Sequence, residues 1–149
     1  MTNILSENRR ARFDYDILEI IEAGIELFGH EVKSVRAGRA SLVGAYVIIR
    51  GDEAFLINCH IPPYQPGNIP KDYEPSRTRR LLLHKKEMHE LVKKLKEKST
   101  SLVALEFVKK KDLIKLVVGL GRSRKAHDKR ELLKKRAVEL EMARAHRGR

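Results

Sequence analysis

The residue types that carry catalysis or bind metals are present in this sequence, but their spacing does not bring them together. Six histidines lie at positions 30, 60, 84, 89, 127 and 146. His84 and His89 are five residues apart, which places them on different faces of a predicted helix. His89-Glu90 begins like a zinc-protease helix, but Lys93 stands where the second histidine is required. The histidines therefore do not predict a metal site.

The single cysteine and the single G-x-G are equally poor candidates for an active site. Cys59 and His60 are adjacent, so in a strand their side chains point to opposite sides and do not form a nucleophile–base pair. Gly119 and Gly121 follow a predicted strand, but an arginine replaces the third glycine and no βαβ unit surrounds them. We therefore predict no catalytic residue, no metal and no cofactor.

The charge of the chain points to a polyanionic partner. Lys and Arg total 32 against 20 Asp and Glu, a net charge of +12 over 149 residues. So many like charges belong on the surface, where they attract RNA, DNA or an anionic membrane. No apolar run approaches the ~20 residues of a membrane span, and residues 1–12 lack the apolar stretch of a signal peptide. We therefore predict a cytoplasmic protein that does not bind membranes, and the single thiol fits a reducing compartment.

Basic residues are concentrated in three segments before the C-terminal region. Residues 8–12 contain three arginines, a basic residue recurs every third position from 33 to 39, and three arginines at 77–80 lead into a lysine-rich segment. Together they neutralise many phosphates, which predicts an affinity that falls steeply with salt. The charges alone do not separate RNA from DNA.

The first part of the body, which spans about residues 8–120, is partly ambiguous. The isoleucine spacing in residues 13–27 suits a helical face as well as a strand. Gly24 favours two strands with a tight turn. A short helix is predicted at residues 30–36.

The remainder of the body has clearer patterns. A Gly-Asp turn signal separates two strands, all five prolines fall in a long surface loop at 62–75, and an apolar stripe then predicts a helix. Two further strands follow. The predicted elements are strands 45–50 and 53–58, helix 84–98, and strands 102–108 and 113–118. About six strands and two to three helices favour a small antiparallel barrel.

The two ends of the chain differ from the body. Residues 121–149 form a basic tail, in which Asp128 and Glu131 have the spacing of a capping box that starts a helix. Its apolar face is too small to dock firmly, so we expect the tail to be disordered alone and to fold against a polyanion. We expect residues 1–7 to be a flexible N-terminus.

Five segments, in the same order over nearly the whole chain, resemble the SsrA-binding protein (SmpB) family. They are N-R-R-A-R at 8–12, E-A-G-I at 22–25, G-H-E-V-K-S-V-R-A-G-R at 29–39, R-T-R-R-L-L-L-H-K at 77–85, and G-R-S-R-K-A-H-D-K-R at 121–130. The helix signature at 29–39 and the H-D-K-R at 127–130 are specific.

The resemblance implies a mainly β fold, a closed antiparallel OB-type barrel with flanking helices. It implies binding to the tRNA-like domain of tmRNA and delivery of alanyl-tmRNA to ribosomes stalled on messages without a stop codon, with elongation factor Tu as co-carrier. In the family the tail passes the 16S rRNA decoding centre and becomes helical in the empty messenger channel. We expect a monomer.

The resemblance also implies two sets of site residues, to which the basic segments add neighbouring cations. The RNA-binding set is Asn8, Arg12, Glu22, Glu31, Val32, Lys33, Arg36, Arg39, Leu82 and Lys115. The set for the decoding centre is Arg122, Arg124, Lys125, His127, Asp128, Lys129 and Arg130. Glu22 on a basic surface fits a role as acceptor for a base edge or a ribose hydroxyl. On sequence alone, however, the favoured explanation is that it ends a hairpin or pairs with an arginine.

One departure from the family pattern lies in the tail. Many members carry a tryptophan roughly where Val138 stands, so a stacking contact at that position is in doubt while charge-driven binding is retained. The alternative interpretation of the chain is another OB-fold RNA-binding translation factor or an RNA chaperone.

Overall fold

The computed structural model describes residues 2–65, 67 and 69–147. Within those residues the chain forms seven strands and four helices. In chain order they are β1 (Thr2–Glu7), α1 (Arg9–Asp14), β2 (Tyr15–Ile25), α2 (Gly29–Arg36), β3 (Tyr46–Arg50), β4 (Glu53–Ile57), β5 (Arg79–Leu82), α3 (Lys85–Lys94), β6 (Thr100–Lys110), β7 (Leu113–Ser123) and α4 (Ala126–Arg147).

The strands form one antiparallel sheet that closes into an uneven ring. Their order is β1-β6-β3-β4-β5-β2-β7, and β6 pairs with β7 to close it. The β6–β7 and β2–β7 ladders are long, whereas β2 meets β5 only at Gly24 and Ile25, and β3 meets β6 only at Tyr46 and Val47. The predicted small antiparallel barrel is confirmed.

Buried apolar side chains lie on both sides of the β6–β7 ladder. Phe107 and Leu116 are fully buried in the main core inside the ring, while Leu105 and Val117 pack on the outer face with Ala11 of α1. Burial on both faces is why these strands are continuous apolar runs in the sequence. The predicted strands at 102–108 and 113–118, the 45–58 hairpin and the helices at 30–36 and 84–98 are also confirmed.

The prediction of two strands and a turn for residues 13–27 was wrong. Residues Tyr15–Ile25 form one strand that pairs with β7 from Tyr15 to Gly24. A register shift between Ile17 and Glu19 breaks the alternation of the apolar residues, which explains why the pattern was ambiguous. Gly24 allows close packing instead of a turn, because a Cβ there would lie 3.1 Å from the Cβ of Leu82.

The prediction of a flexible N-terminus was also wrong for residues 2–7. Strand β1 pairs with β6 from Thr2 opposite Lys110 to Glu7 opposite Glu106, and the Ser6 hydroxyl donates to the Ala40 carbonyl at 3.1 Å. The short polar segment carries little strand signal of its own. Its order comes from the edge of β6, which is remote in sequence.

The boundary between body and tail lies slightly later than predicted. Strand β7 continues to Ser123, and α4 begins at Ala126. Asp128 lies inside the first turn, where its carboxylate accepts the Lys125 N–H at 3.4 Å, so it is not the residue that precedes the helix. The order of this helix in the free protein stays a prediction. No helix among the described residues has the length and apolar character to cross a membrane.

Candidate nucleic-acid interface

Three of the predicted RNA-binding residues meet on the outside of the barrel. Gly24 of β2 lies opposite Leu82 of β5 on one side and opposite Lys115 of β7 on the other. Glu22 is two residues from Gly24, so it belongs to the same face of the strand. Together with neighbouring side chains they line a groove of about 320 Å³. We call these four residues the strand groove.

The strand groove combines an apolar side chain, a cation and a carboxylate, groups whose chemistry suits RNA. Leu82 is 49% exposed, a large apolar side chain on a surface. Gly24 beside it has no side chain, so Leu82 packs directly on the backbone of β2 and its position is fixed. Lys115 supplies a cation for phosphate, and Glu22 supplies acceptors for a ribose hydroxyl or a base edge.

A residue that the sequence did not single out completes this arrangement. Lys110, at the end of β6, places its Nζ 2.8 Å from Glu22 Oε2. The ion pair holds the carboxylate at the mouth of the groove and reduces its repulsion of phosphate. It joins residues far apart in the chain, so no local pattern could indicate it.

Glu31 was predicted to bind RNA, but it lies in the interior of the protein. Its side chain is fully buried, and its carboxylate accepts hydrogen bonds from Arg79 Nε at 2.7 Å, from the Tyr73 hydroxyl at 2.9 Å and from the Phe28 N–H at 2.8 Å. Arg77 forms a second ion pair at 2.5 Å. Direct contact with RNA is therefore excluded in this conformation, because no part of the carboxylate reaches the surface.

The electrostatics of this buried cluster keep Glu31 ionised. Burial by itself would raise the pKa of Glu31, but the hydrogen bonds from Arg77, Phe28 N–H and Arg79 overcome it and lower the pKa to about 2. Arg79 is also fully buried, and it donates to the Cys59 carbonyl at 2.8 Å as well. We call Glu31, Tyr73, Arg77 and Arg79 the buried ion cluster, and it fixes α2 against the barrel.

The outward face of α2 keeps the basic residues that were predicted. Lys33 and Arg36 are exposed, and Val32 is half-buried. Arg36 Nη2 donates to the Asp112 carbonyl at 3.0 Å, in the turn between β6 and β7. The same turn is flanked by Lys110 and Lys115, so α2 and the strand groove share one basic surface.

Three other predicted RNA-binding residues are engaged elsewhere. Asn8 is 2% exposed, and it donates to the Leu42 and Ala104 carbonyls at 2.8 and 2.9 Å while accepting the Ala11 N–H at the start of α1. Its side-chain amide is fully used in hydrogen bonds that connect α1 with the barrel. Arg12 pairs with Glu106 at 2.8 Å. Arg39 is exposed and lies over the Tyr64 ring at 5.3 Å.

The residues predicted to meet the decoding centre lie at the other end of β7. Lys115 and Arg122 are seven residues apart on that strand, which is about 23 Å at roughly 3.3 Å per residue. Lys125, His127, Asp128 and Arg130 are exposed. The structure therefore separates the two predicted sets into two surfaces.

Contacts with the body hold the first turn of the tail helix. The Arg124 N–H donates to the Asp14 carbonyl at 2.9 Å, and Lys129 Nζ lies 3.1 Å from Asp14 Oδ1 and 5.9 Å from the centre of the Phe13 ring. Arg122 pairs with Glu97 at 3.3 Å. Beyond this turn the helix is mostly exposed.

The groups that were weighed as catalytic stay apart in the fold. Burial raises the pKa of Cys59 to about 12, so the thiol is not ionised at neutral pH. Within the residues that the structure describes, no three His, Cys, Asp or Glu side chains are grouped to hold a metal ion.

Comparison with known proteins identifies the family. The family model described as SmpB protein matches residues 5–148. The SsrA-binding protein of Gloeothece citriformis (strain PCC 7424) is 49% identical over 144 residues, 97% of this chain and 93% of that protein. The SsrA-binding protein of Mesoplasma florum is 46% identical over 137 residues, 92% of each chain.

A solved structure agrees with the sequence comparisons. It is described as "tmRNA-SmpB: a journey to the center of the bacterial ribosome", has a TM-score of 0.69 and 42% identity, and covers 85% of this chain and 92% of that one. Identity at this level over nearly the whole length, together with the same barrel, leads to one assignment. The chain belongs to the SmpB protein family.

Proposed function

We propose that this protein binds the tRNA-like domain of tmRNA and delivers alanyl-tmRNA to stalled ribosomes for trans-translation. The observation that carries the proposal is the strand groove, which places Glu22, Leu82 and Lys115 around Gly24. The similar solved structure is described as tmRNA with SmpB, and the similar curated proteins are SsrA-binding proteins.

The chemistry of the groove favours a folded RNA over a regular duplex. An A-form helix presents phosphates and 2′-hydroxyls but hides its base edges, whereas loops expose unstacked bases. A half-exposed leucine that is held against the strand backbone suits the face of such a base. Lys115 and the α2 residues Lys33 and Arg36 then fix the position of the strand through its phosphates.

The tail has a separate task in this proposal. Residues 122–130 contact the 16S rRNA in the decoding centre, and the rest of α4 follows the messenger channel. Among residues 124–149, ten are Lys or Arg and four are Asp or Glu, a charge that suits a channel lined by RNA. Elongation factor Tu joins through the tmRNA, the protein acts as a monomer, and it works in the cytoplasm.

A substitution in the strand groove tests the RNA-binding half of the proposal. We expect Leu82→Ala to weaken binding to the tRNA-like domain about tenfold, because burying a leucine contributes about 1.5 kcal/mol. Stability should change little, since Leu82 is 49% exposed in the free protein. Filter binding or calorimetry at one salt concentration measures the difference.

Leu133 provides the matched control for this experiment. It is 52% exposed, which is close to the exposure of Leu82, but it lies on α4. Leu133→Ala should leave binding to the tRNA-like domain unchanged. Equal effects of the two substitutions would contradict a site in the strand groove.

A further inference from the structure

A second pocket, lined by aromatic rings, lies apart from the strand groove. It has a volume of about 530 Å³ and lies between the start of α2 and the loop before β5. Phe28, His30, Pro70 and Tyr73 form its apolar part. None of its lining residues lines the strand groove, and the RNA-binding residues proposed above do not include them.

The rings of this pocket are held in place before any ligand arrives. The Arg77 guanidinium lies 4.1 Å from the centre of the Phe28 ring, and the same guanidinium is fixed by its ion pair with buried Glu31. His30 meets the edge of Tyr73 with ring centres 4.5 Å apart. Phe28 nevertheless remains 53% exposed, so part of its ring surface is open to solvent. An open, preorganised aromatic ring suits stacking with a planar ligand.

The free polar groups of the pocket are acceptors. Arg77 is committed to Glu31, whereas the Asp72 carboxylate makes no hydrogen bond or ion pair with any described residue. Glu74 keeps one carboxylate oxygen beyond the one that accepts the Ser76 N–H at 3.1 Å. The His30 Nδ1 atom is buried without a partner among the described residues, and it accepts a hydrogen bond in the tautomer that carries the ring proton on Nε2. A ligand that fits must therefore be flat and must present donors on one edge.

Guanine meets both requirements among the nucleobases. Its N1–H and N2–H₂ groups are adjacent donors on one edge, which match the two oxygens of a single carboxylate. Lys33, one turn after His30 on α2, and Lys71 are exposed cations for the flanking phosphates. An arginine or lysine side chain of a protein partner also suits aromatic rings and carboxylates, but the net charge of +12 opposes a basic partner.

We propose that this pocket binds a guanine base that is unstacked from an RNA strand, with the base against Phe28 and its donor edge on Asp72. The inference rests on the proposed function only in that the partner is an RNA. It adds a second base-contacting site, selective for guanine and separate from the strand groove.

Short oligonucleotides test the pocket independently of any folded RNA. The full chain is titrated with UUGUU, UUAUU and UUUUU, and backbone amide shifts are followed by NMR. We expect UUGUU to bind about tenfold more tightly than UUUUU, since stacking of one base has an effect of that order. The shifts should centre on Phe28, His30 and Tyr73, and UUAUU should bind less tightly than UUGUU.

Matched substitutions separate the contribution of stacking on Phe28 from that of the Asp72 carboxylate to the preference for guanine. Phe28→Tyr keeps a stacking ring and should keep the preference for guanine, whereas Phe28→Leu keeps apolar bulk and should abolish it. Asp72→Asn should reduce discrimination between guanine and adenine. Tyr46→Leu changes the other exposed Phe or Tyr ring among the described residues, 40% exposed, and should have no effect on the preference.

Any of three outcomes would contradict the proposed guanine site. They are equal affinity for the three oligonucleotides, a preference for guanine that survives Phe28→Leu, and tighter binding of an arginine-containing peptide than of UUGUU with shifts at the same residues.

Affinity for the tRNA-like domain is measured in parallel, so that the two proposals are tested separately. If that affinity is high while the preference for guanine is absent, the guanine site is refuted and the proposed function stands. If the tRNA-like domain binds no better than a duplex, the proposed function is refuted whatever the pocket binds.

Discussion

A chain that ends at Ser123 should bind the tRNA-like domain of tmRNA nearly as tightly as the full chain, and should fail to support peptide tagging on stalled ribosomes. The cut leaves β7 complete, so the strand groove and its ladder with β2 stay intact. It removes α4 and with it all the named residues proposed to contact the decoding centre except Arg122. Binding is measured in moderate salt, because the removed segment carries most of its charge as Lys and Arg. Tagging is measured in a reconstituted translation system with a message that lacks a stop codon.

A full-length variant separates the tail's contacts from its charge and length. Replacing His127, Asp128, Lys129 and Arg130 by alanine retains α4 and eight of its flanking basic residues within 124–149. We expect this variant also to lose tagging while it keeps binding to the tRNA-like domain. Loss of that binding in the shortened chain would place the tmRNA site in the tail and contradict the division between barrel and tail.

Disrupting the buried ion cluster should be among the most destabilising single substitutions in this chain. Glu31→Ala leaves Arg79 fully buried without its carboxylate, and breaking a buried ion pair in this way costs about 3–5 kcal/mol. Urea unfolding should show a lower midpoint with an unchanged slope. The affinity for RNA should decrease only to the extent that α2 is displaced from the barrel.

An exposed ion pair on the same barrel is the control for that substitution. Glu26 pairs with Arg80 at 3.7 Å, and both side chains are about half exposed. Glu26→Ala should cost about 0–1 kcal/mol. If Glu31→Ala costs no more than Glu26→Ala, the cluster does not hold α2.

The same cluster gives the stability a defined dependence on pH. The pKa of Glu31 is lowered from 4.5 to about 2 on folding, so its contribution is complete above pH 4.5 and is lost as the pH falls towards 2. The full contribution is about 3 kcal/mol, at about 1.4 kcal/mol per pKa unit. Glu31→Gln should flatten the stability profile between these two pH values, and a profile as steep as that of the unmodified chain would contradict the assignment.

The parts of the fold that follow from local pattern could be predicted from the sequence. The 45–58 hairpin depends on a two-residue turn in which Gly51 has a φ of +60°, a conformation that glycine adopts without strain. Helix α3 follows from a stripe whose Met88 and Leu91 are buried in the structure. The net charge and the order of the motifs also indicate RNA binding from the sequence alone.

The parts that depend on remote partners could not be predicted in the same way. Strand β1 is ordered by residues about a hundred positions away, as in the pairing of Thr2 with Lys110. The residues next to Glu31 in the sequence do not indicate that Arg77 and Arg79 surround it in the fold. Glu31 was therefore predicted to be an exposed RNA-binding residue, whereas it is buried. The Glu22–Lys110 pair likewise appears only when the β-ladders bring β2, β7 and β6 side by side.

The most direct test of the central claim compares the tRNA-like domain of tmRNA with a generic RNA duplex of equal length in moderate salt. Both RNAs carry similar backbone charge, so the non-specific part of the affinity is shared. We predict much tighter binding to the tRNA-like domain, and we expect Leu82→Ala to reduce the difference in affinity between the two RNAs. Equal affinities for the two RNAs would contradict specific recognition and leave only a basic surface.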